Sequence, residues 1–101
     1  MKILLVCSGG MSTAIIVKAI EQQAAKTGRA VTVKSVGSGE FAEAVKGGWD
    51  IALVAPQVRH RLAEYQAAAS AAGVPVALIP PQGYSPLGGA VILGEVDKIL
   101  G

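Results

Sequence analysis

A chain of 101 residues and 10.2 kDa, 51% hydrophobic and 16% charged, reads as a single domain over residues 1–101, because a second core would need roughly another 100 residues. That composition excludes a disordered or charge-rich tail, and nine basic against seven acidic residues, a net +2, leave no basic run with which to wrap nucleic acid. With one cysteine, Cys7, and one histidine, His60, an internal disulfide and a multi-cysteine zinc site are excluded, and neither a metal nor another cofactor is expected.

The chain opens with Ile3-Leu4-Leu5-Val6, a continuous apolar run of the kind buried on both faces of a parallel sheet. This run is too short for the apolar region of about 7–15 residues in a signal peptide, and bulky Val6 precedes the cysteine. No window reaches the 18 or so apolar residues of a membrane span, so a cytoplasmic protein is expected. From Met11 to about Lys26 the period becomes helical. Ile15, Ala19 and Gln22-Gln23 lie a turn apart, Ile16 pairs with Ile20, and Lys18, Glu21 and Lys26 form the wet side. Gly28 stops this helix.

Val31, Val33 and Val36 mark a second strand, and Glu40 to Lys46 a short helix closed by Gly47-Gly48. Ile51-Ala52-Leu53-Val54 is the third strand; Pro56 then suits the first turn of an alanine-rich helix that runs to about Ala72 and ends at Gly73. Val74 to Ile79 is the fourth strand, Pro80 to Pro86 a loop, and Leu87 to Leu100 the last helix. This βαβαβαβα order predicts an α/β fold: a three-layer open sheet of four parallel strands with helices on both faces. Ligands of such sheets bind outside the carboxyl ends of the strands. Four loops qualify: Cys7 to Ser12, Gly37 to Gly39, Ala55 to Gln57, and Pro80 to Ser85.

The first loop carries the chemistry. Cys7-Ser8-Gly9-Gly10-Met11-Ser12-Thr13 passes from a strand directly into a helix. Gly9 and Gly10 permit close approach of backbone to a ligand. Free N–H groups at the helix start point into the loop, where the helix dipole favours negative charge. Ser8, Ser12 and Thr13 add three hydroxyls. This inventory suits a phosphoryl group, and the same field should stabilise a Cys7 thiolate, lowering its pKa below the usual value of about 8.5. A thiolate that attacks phosphorus while its own loop receives the oxygens is nucleophilic catalysis with built-in charge stabilisation. On placement alone, a cysteine after an apolar strand is more often a buried core thiol; the Gly-Gly pair and the hydroxyls reverse that balance. Gly9-Gly10 matches neither G-x-G-x-x-G nor G-x-x-x-x-G-K-[ST], and the loop holds no lysine, which disfavours a mononucleotide site.

Cysteine phosphatases use a C-x5-R loop, whose arginine clamps the phosphate. Six residues beyond Cys7 this chain has Thr13, and no acid in the loop can protonate a leaving group. A cysteine that accepts a phosphoryl group, keeps it and passes it on fits better than one that hydrolyses it.

The residues here resemble a known family, the enzyme IIB component of the bacterial phosphoenolpyruvate-dependent sugar phosphotransferase system, lactose/cellobiose type. The resemblance covers the whole chain in length and element order. It rests on Lys2-Ile3-Leu4-Leu5-Val6-Cys7-Ser8-Gly9-Gly10-Met11-Ser12-Thr13, on Leu53-Val54-Ala55-Pro56-Gln57 after the third strand, and on Tyr84 in the loop after the fourth. It implies a scaffold related to low-molecular-weight tyrosine phosphatase and a phosphocysteine at Cys7. That phosphocysteine would be charged by the phosphohistidine of a IIA protein and discharged to a sugar bound in a IIC membrane permease. One departure is visible: Gly9 stands where the usual loop has alanine, which loosens the loop but removes no donor.

On this reading Cys7 is the carrier, and Ser8, Gly9, Gly10, Met11, Ser12 and Thr13 cradle the phosphate, mainly through backbone N–H groups that replace a metal's charge neutralisation. Gln57 could bond the phosphoryl group or the partner, or be a surface residue at a helix start. Tyr84 is open between partner contact and loop packing. Met11 could offer an apolar contact to IIA or IIC, or be the first core residue of its helix. Arg59-His60-Arg61 reads as a solvated helix face, with steering of an acidic partner or phosphate as the alternative. Trp49 and Asp50 precede the third strand and are expected at the opposite end of the sheet, as packing and turn residues. Two other functions stay open: a phosphatase or arsenate-reductase relative, and a non-catalytic regulatory module phosphorylated at Cys7.

Overall fold

The computed structural model describes residues 1–7, 13–85 and 87–100, with the backbone alone described at Thr13. Four strands, β1 (Lys2–Cys7), β2 (Thr32–Gly37), β3 (Ile51–Val54) and β4 (Val76–Leu78), form one sheet in the order β2-β1-β3-β4. Every neighbouring pair is parallel, with Ile3 opposite Val33 on one side and Ile51 on the other. The α/β sheet expected from the sequence is therefore present. Its order reverses direction beside β1: the chain adds β2 on one flank, then crosses to place β3 on the other. The crevice at such a switch point, at the strands' carboxyl ends, is where open α/β sheets bind ligands.

Helices α1 (Thr13–Lys26) and α4 (Gly89–Leu100) cover one face, and α2 (Phe41–Ala44) and α3 (Leu62–Ala71) the other. The two-residue period of the strands divides the core accordingly. Ile3, Leu5, Ile51 and Leu53 pack with Ile16, Ile20, Ala24, Ile92 and Val96. Leu4, Val6, Ala52 and Val54 pack with Phe41, Val45, Tyr65 and Ala69. Phe41 and Tyr65 meet edge to face, 5.0 Å between ring centroids. Among the apolar residues of α1, Ile16, Ala19, Ile20 and Ala24 form the buried stripe, whereas Ile15 lies outside it and is exposed.

Helices α1 and α3 end as anticipated at Gly28 and Gly73, both with positive φ (70° and 72°). Each closes a paired motif of backbone bonds. Arg29 N–H donates to Ala24 O (2.8 Å) and Gly28 N–H to Ala25 O (3.2 Å); Val74 N–H donates to Ala69 O (2.8 Å) and Gly73 N–H to Ser70 O (3.0 Å).

Several boundaries differ from the sequence-based expectation, among them the helix expected from Glu40 to Lys46, which is α-helical only over Phe41–Ala44 and flanked by 3-10 turns over Ser38–Glu40 and Val45–Gly47. The helix placed from Pro56 starts instead as a 3-10 turn over Pro56–Arg61, and α3 begins only at Leu62. Val58 is buried in the core and takes non-helical torsions (φ −116°, ψ 18°), so the need to turn its side chain inward interrupts the helix. Strand β4 is regular only over Val76–Leu78, because Pro75 has no N–H. Its carbonyl still accepts from Ala52 N–H (2.9 Å), and Ile79 N–H still donates to Val54 O (2.9 Å). The last helix starts at Gly89, not Leu87, since Gly88 packs against the backbone of Gly83 and supplies the first helical acceptor, to Ile92 N–H (3.0 Å). No helix among the described residues is long and apolar enough to cross a membrane.

Candidate functional site at the carboxyl edge of the sheet

Ile3, Leu4, Leu5 and Val6 are all fully buried. Each such side chain contributes about 1.5–3 kcal/mol of gross burial energy, far more than any single polar contact. Burial of β1 therefore decides where the next residue stands. That residue is Cys7, at the carboxyl end of the central strand and 2% exposed.

The sulfur lies 3.5 Å from the hydroxyl of Tyr84, a residue 77 positions away in sequence. A 3-10 turn over Pro81–Gly83, entered through Pro80, brings the tyrosine there. Gly83 packs against Val91 and Ile92 of α4, which fixes the loop to the body of the fold. Tyr84 is half-buried and packs against the core clusters of both faces, so its ring sits across the end of the sheet. When the sulfur is ionised the phenolic O–H is the donor of this pair, and a bond to a charged acceptor contributes about 1.5–3 kcal/mol.

Beside Tyr84 opens a cleft of about 580 Å³ lined by Pro56, Gln57, Arg59, His60, Pro81 and Tyr84. Two carboxyl-edge loops build it, the turn after β3 and the turn after β4. Gln57, Arg59 and His60 are exposed on its wall, while Val58 between them points into the core. Arg61 closes the same turn against its neighbours: its guanidinium bonds Ser38 Oγ (3.3 Å) in the turn after β2 and pairs with Glu64 (3.1 Å).

Cys7 and Tyr84 thus come into direct contact, and Gln57 shares a cleft with Tyr84. Thr13 opens α1. Ser8, Gly9, Gly10, Met11 and Ser12 lie outside the described residues. Arg59 and His60, expected on a solvated helix face, are exposed as expected but on a 3-10 turn just past β3, at the ligand-binding edge. Trp49 and Asp50 lie at the other end. Asp50 Oδ2 accepts from Lys2 N–H (2.7 Å), and Lys2 Nζ stands 4.9 Å from the centre of the Trp49 ring.

The family model described as "PTS system, Lactose/Cellobiose specific IIB subunit" matches residues 2–93, nearly the whole chain. The chain belongs to this family. Curated IIB relatives include the galactose-specific EIIB component of Lactococcus lactis subsp. cremoris and the cellobiose-specific EIIB component of Lactococcus lactis subsp. lactis. Each is 28% identical over 102 residues, covering 97% of this chain and 94% of the relative. Among solved structures, the lactose-specific IIB domain from Streptococcus pneumoniae superposes with a TM-score of 0.78 at 25% identity, covering 94% of this chain and 96% of that one. The cellobiose-specific IIB component from Borrelia burgdorferi gives a TM-score of 0.74 at 29% identity, covering 98% and 91%. This IIB chain is accordingly a phosphotransferase-system subunit, and its sheet is that of the IIB domains.

Proposed function

We propose that this IIB subunit carries the phosphoryl group on Cys7, taking it from a phosphohistidine of a IIA protein and delivering it to a sugar bound in a IIC permease. In the first step the thiolate attacks phosphorus, the S–P bond forms and the N–P bond to the imidazole breaks. In the second, a sugar hydroxyl attacks phosphorus, the S–P bond breaks, the hydroxyl proton leaves to solvent or a base, and the thiolate is regenerated. The observation that carries this reading is the placement of the only cysteine at the carboxyl end of β1, beside the switch point, with a tyrosine hydroxyl 3.5 Å from its sulfur.

The segment from Ser8 to Thr13 supplies the phosphate cradle. Thr13 stands where a cysteine phosphatase has arginine, so the thiophosphate ester lacks the clamp that speeds its hydrolysis and persists long enough to be relayed. Gln57 and Tyr84 border the approach. The sugar is a β-linked disaccharide or oligosaccharide such as cellobiose, lactose or chitobiose. Its recognition sits largely in the permease, which accords with near-equal likeness of this chain to galactose- and cellobiose-specific relatives.

Incubation with phosphorylated IIA protein should give a thiophosphate ester signal in phosphorus NMR, and Cys7→Ser should abolish onward transfer. A label on nitrogen, or on oxygen outside the loop, would overturn the assignment. Appreciable Cys7-dependent hydrolysis of an aryl phosphate would favour the phosphatase reading instead.

A further inference from the structure

The cleft beside Tyr84 has an unbalanced charge. Among the described residues its lining includes one guanidinium and one imidazole but no carboxylate. The protein's other arginines are neutralised: Arg29 pairs with Asp97 at 3.0 Å, and Arg61 with Glu64 at 3.1 Å. Arg59 makes no such pair among the described residues. The reason is local. The kink at Val58 sends that side chain into the core and leaves Arg59 and His60 on the cleft side, while Arg61, two residues on from Arg59, is drawn away toward Ser38 and Glu64. An unpaired cation is thereby held in a cleft that shares a wall, Tyr84, with the sulfur.

We propose that this cleft, through Arg59 with His60 beside it, is the docking point for an acidic rim on the phosphoryl-donor protein. The inference rests on the phosphoryl-relay reading of Cys7 and adds to it the surface that receives the donor. A group arriving on another protein brings the negative charge of the phosphoryl itself, and a neighbouring carboxylate on that partner would complement Arg59. Charges at the rim of an interface act chiefly on the rate of encounter and its salt dependence. Exposed charges at contact distance in water interact by about 1 kcal/mol, which corresponds to about a fivefold change in rate per charge.

The test is the second-order rate of phosphoryl transfer from purified phosphorylated IIA protein to the full chain, measured across salt concentrations. Arg59→Gln should slow transfer about fivefold at low salt and Arg59→Glu more; both deficits should disappear at high salt, where charges are screened. The final extent of Cys7 phosphorylation should match wild type. Lys26→Gln removes an exposed cation at the far end of α1 and should leave the rate unchanged. Equal slowing by Lys26→Gln would show a net-charge effect and overturn the proposal. So would a wild-type rate for Arg59→Glu. Saturable binding of inorganic phosphate in the cleft, abolished by Arg59→Gln without loss of transfer rate, would assign it to a small anion and also overturn it. Failure of wild type to acquire an S-phosphoryl group is a separate result that removes the relay reading itself.

Discussion

The contact between Cys7 and Tyr84 divides two tasks between two residues. Position is set by burial of β1, which carries the sulfur to the end of the sheet whatever residue faces it; the tyrosine supplies a donor. Tyr84→Phe keeps the ring and its packing against both core clusters but removes the hydroxyl 3.5 Å from sulfur. Loss of a bond worth about 1.5–3 kcal/mol to the charged form, partly offset by the greater nucleophilicity of a less stabilised thiolate, should slow alkylation of Cys7 by iodoacetamide at neutral pH by roughly 3- to 10-fold. Thermal stability should change far less, and the two measurements together separate a tuning role from a structural one. The placement of Cys7 at the end of its strand is legible because an unbroken apolar run, Ile3 to Val6, leads straight into it. The Sγ–Oη contact is not, since nothing local in sequence joins residues 77 positions apart; it exists only because β1 and the turn after β4 end at the same edge.

Helix packing explains what glycine does in α4. A Cβ at Gly89 would run into the backbone of Ala19 and the side chain of Gln23, so the two helices approach as closely as they do only because this side chain is absent. Gly94, in the same helix, faces open space. Gly89→Ala should therefore destabilise the protein by about 1–3 kcal/mol through overpacking. Gly94→Ala should stabilise it by about 0.4–1 kcal/mol by restricting the unfolded chain. Urea unfolding of the two variants should give shifts of opposite sign. Nothing in the sequence tells which glycine of α4 is a spacer, because that depends on the neighbour across the interface. The same principle governs the turn after β3. Its apolar and polar residues were readable, but Val58 has to satisfy the core before the helix can form, and that tertiary demand moved the start of α3 to Leu62. Strand β3, bounded by Asp50 and Pro56, was readable to the residue.

Across the whole molecule the sheet has a fastening edge and a reacting edge, separated by the length of β1, roughly 16 Å. At the fastening edge Asp50 accepts from Lys2 N–H, Lys2 Nζ bonds Gly47 O (3.1 Å), and Trp49 Nε1 donates to Ala44 O (2.7 Å). Asp50→Ala should cost about 1 kcal/mol of stability in denaturant titration and leave phosphoryl transfer at the wild-type rate, because none of these groups reaches the sulfur. The only tryptophan of the chain belongs to this fastening. Its indole emission is thus a gauge of unfolding that, on the proposed relay at Cys7, should stay silent during phosphoryl transfer, so that the same sample could be followed for integrity by light and for turnover by phosphorus without either signal contaminating the other.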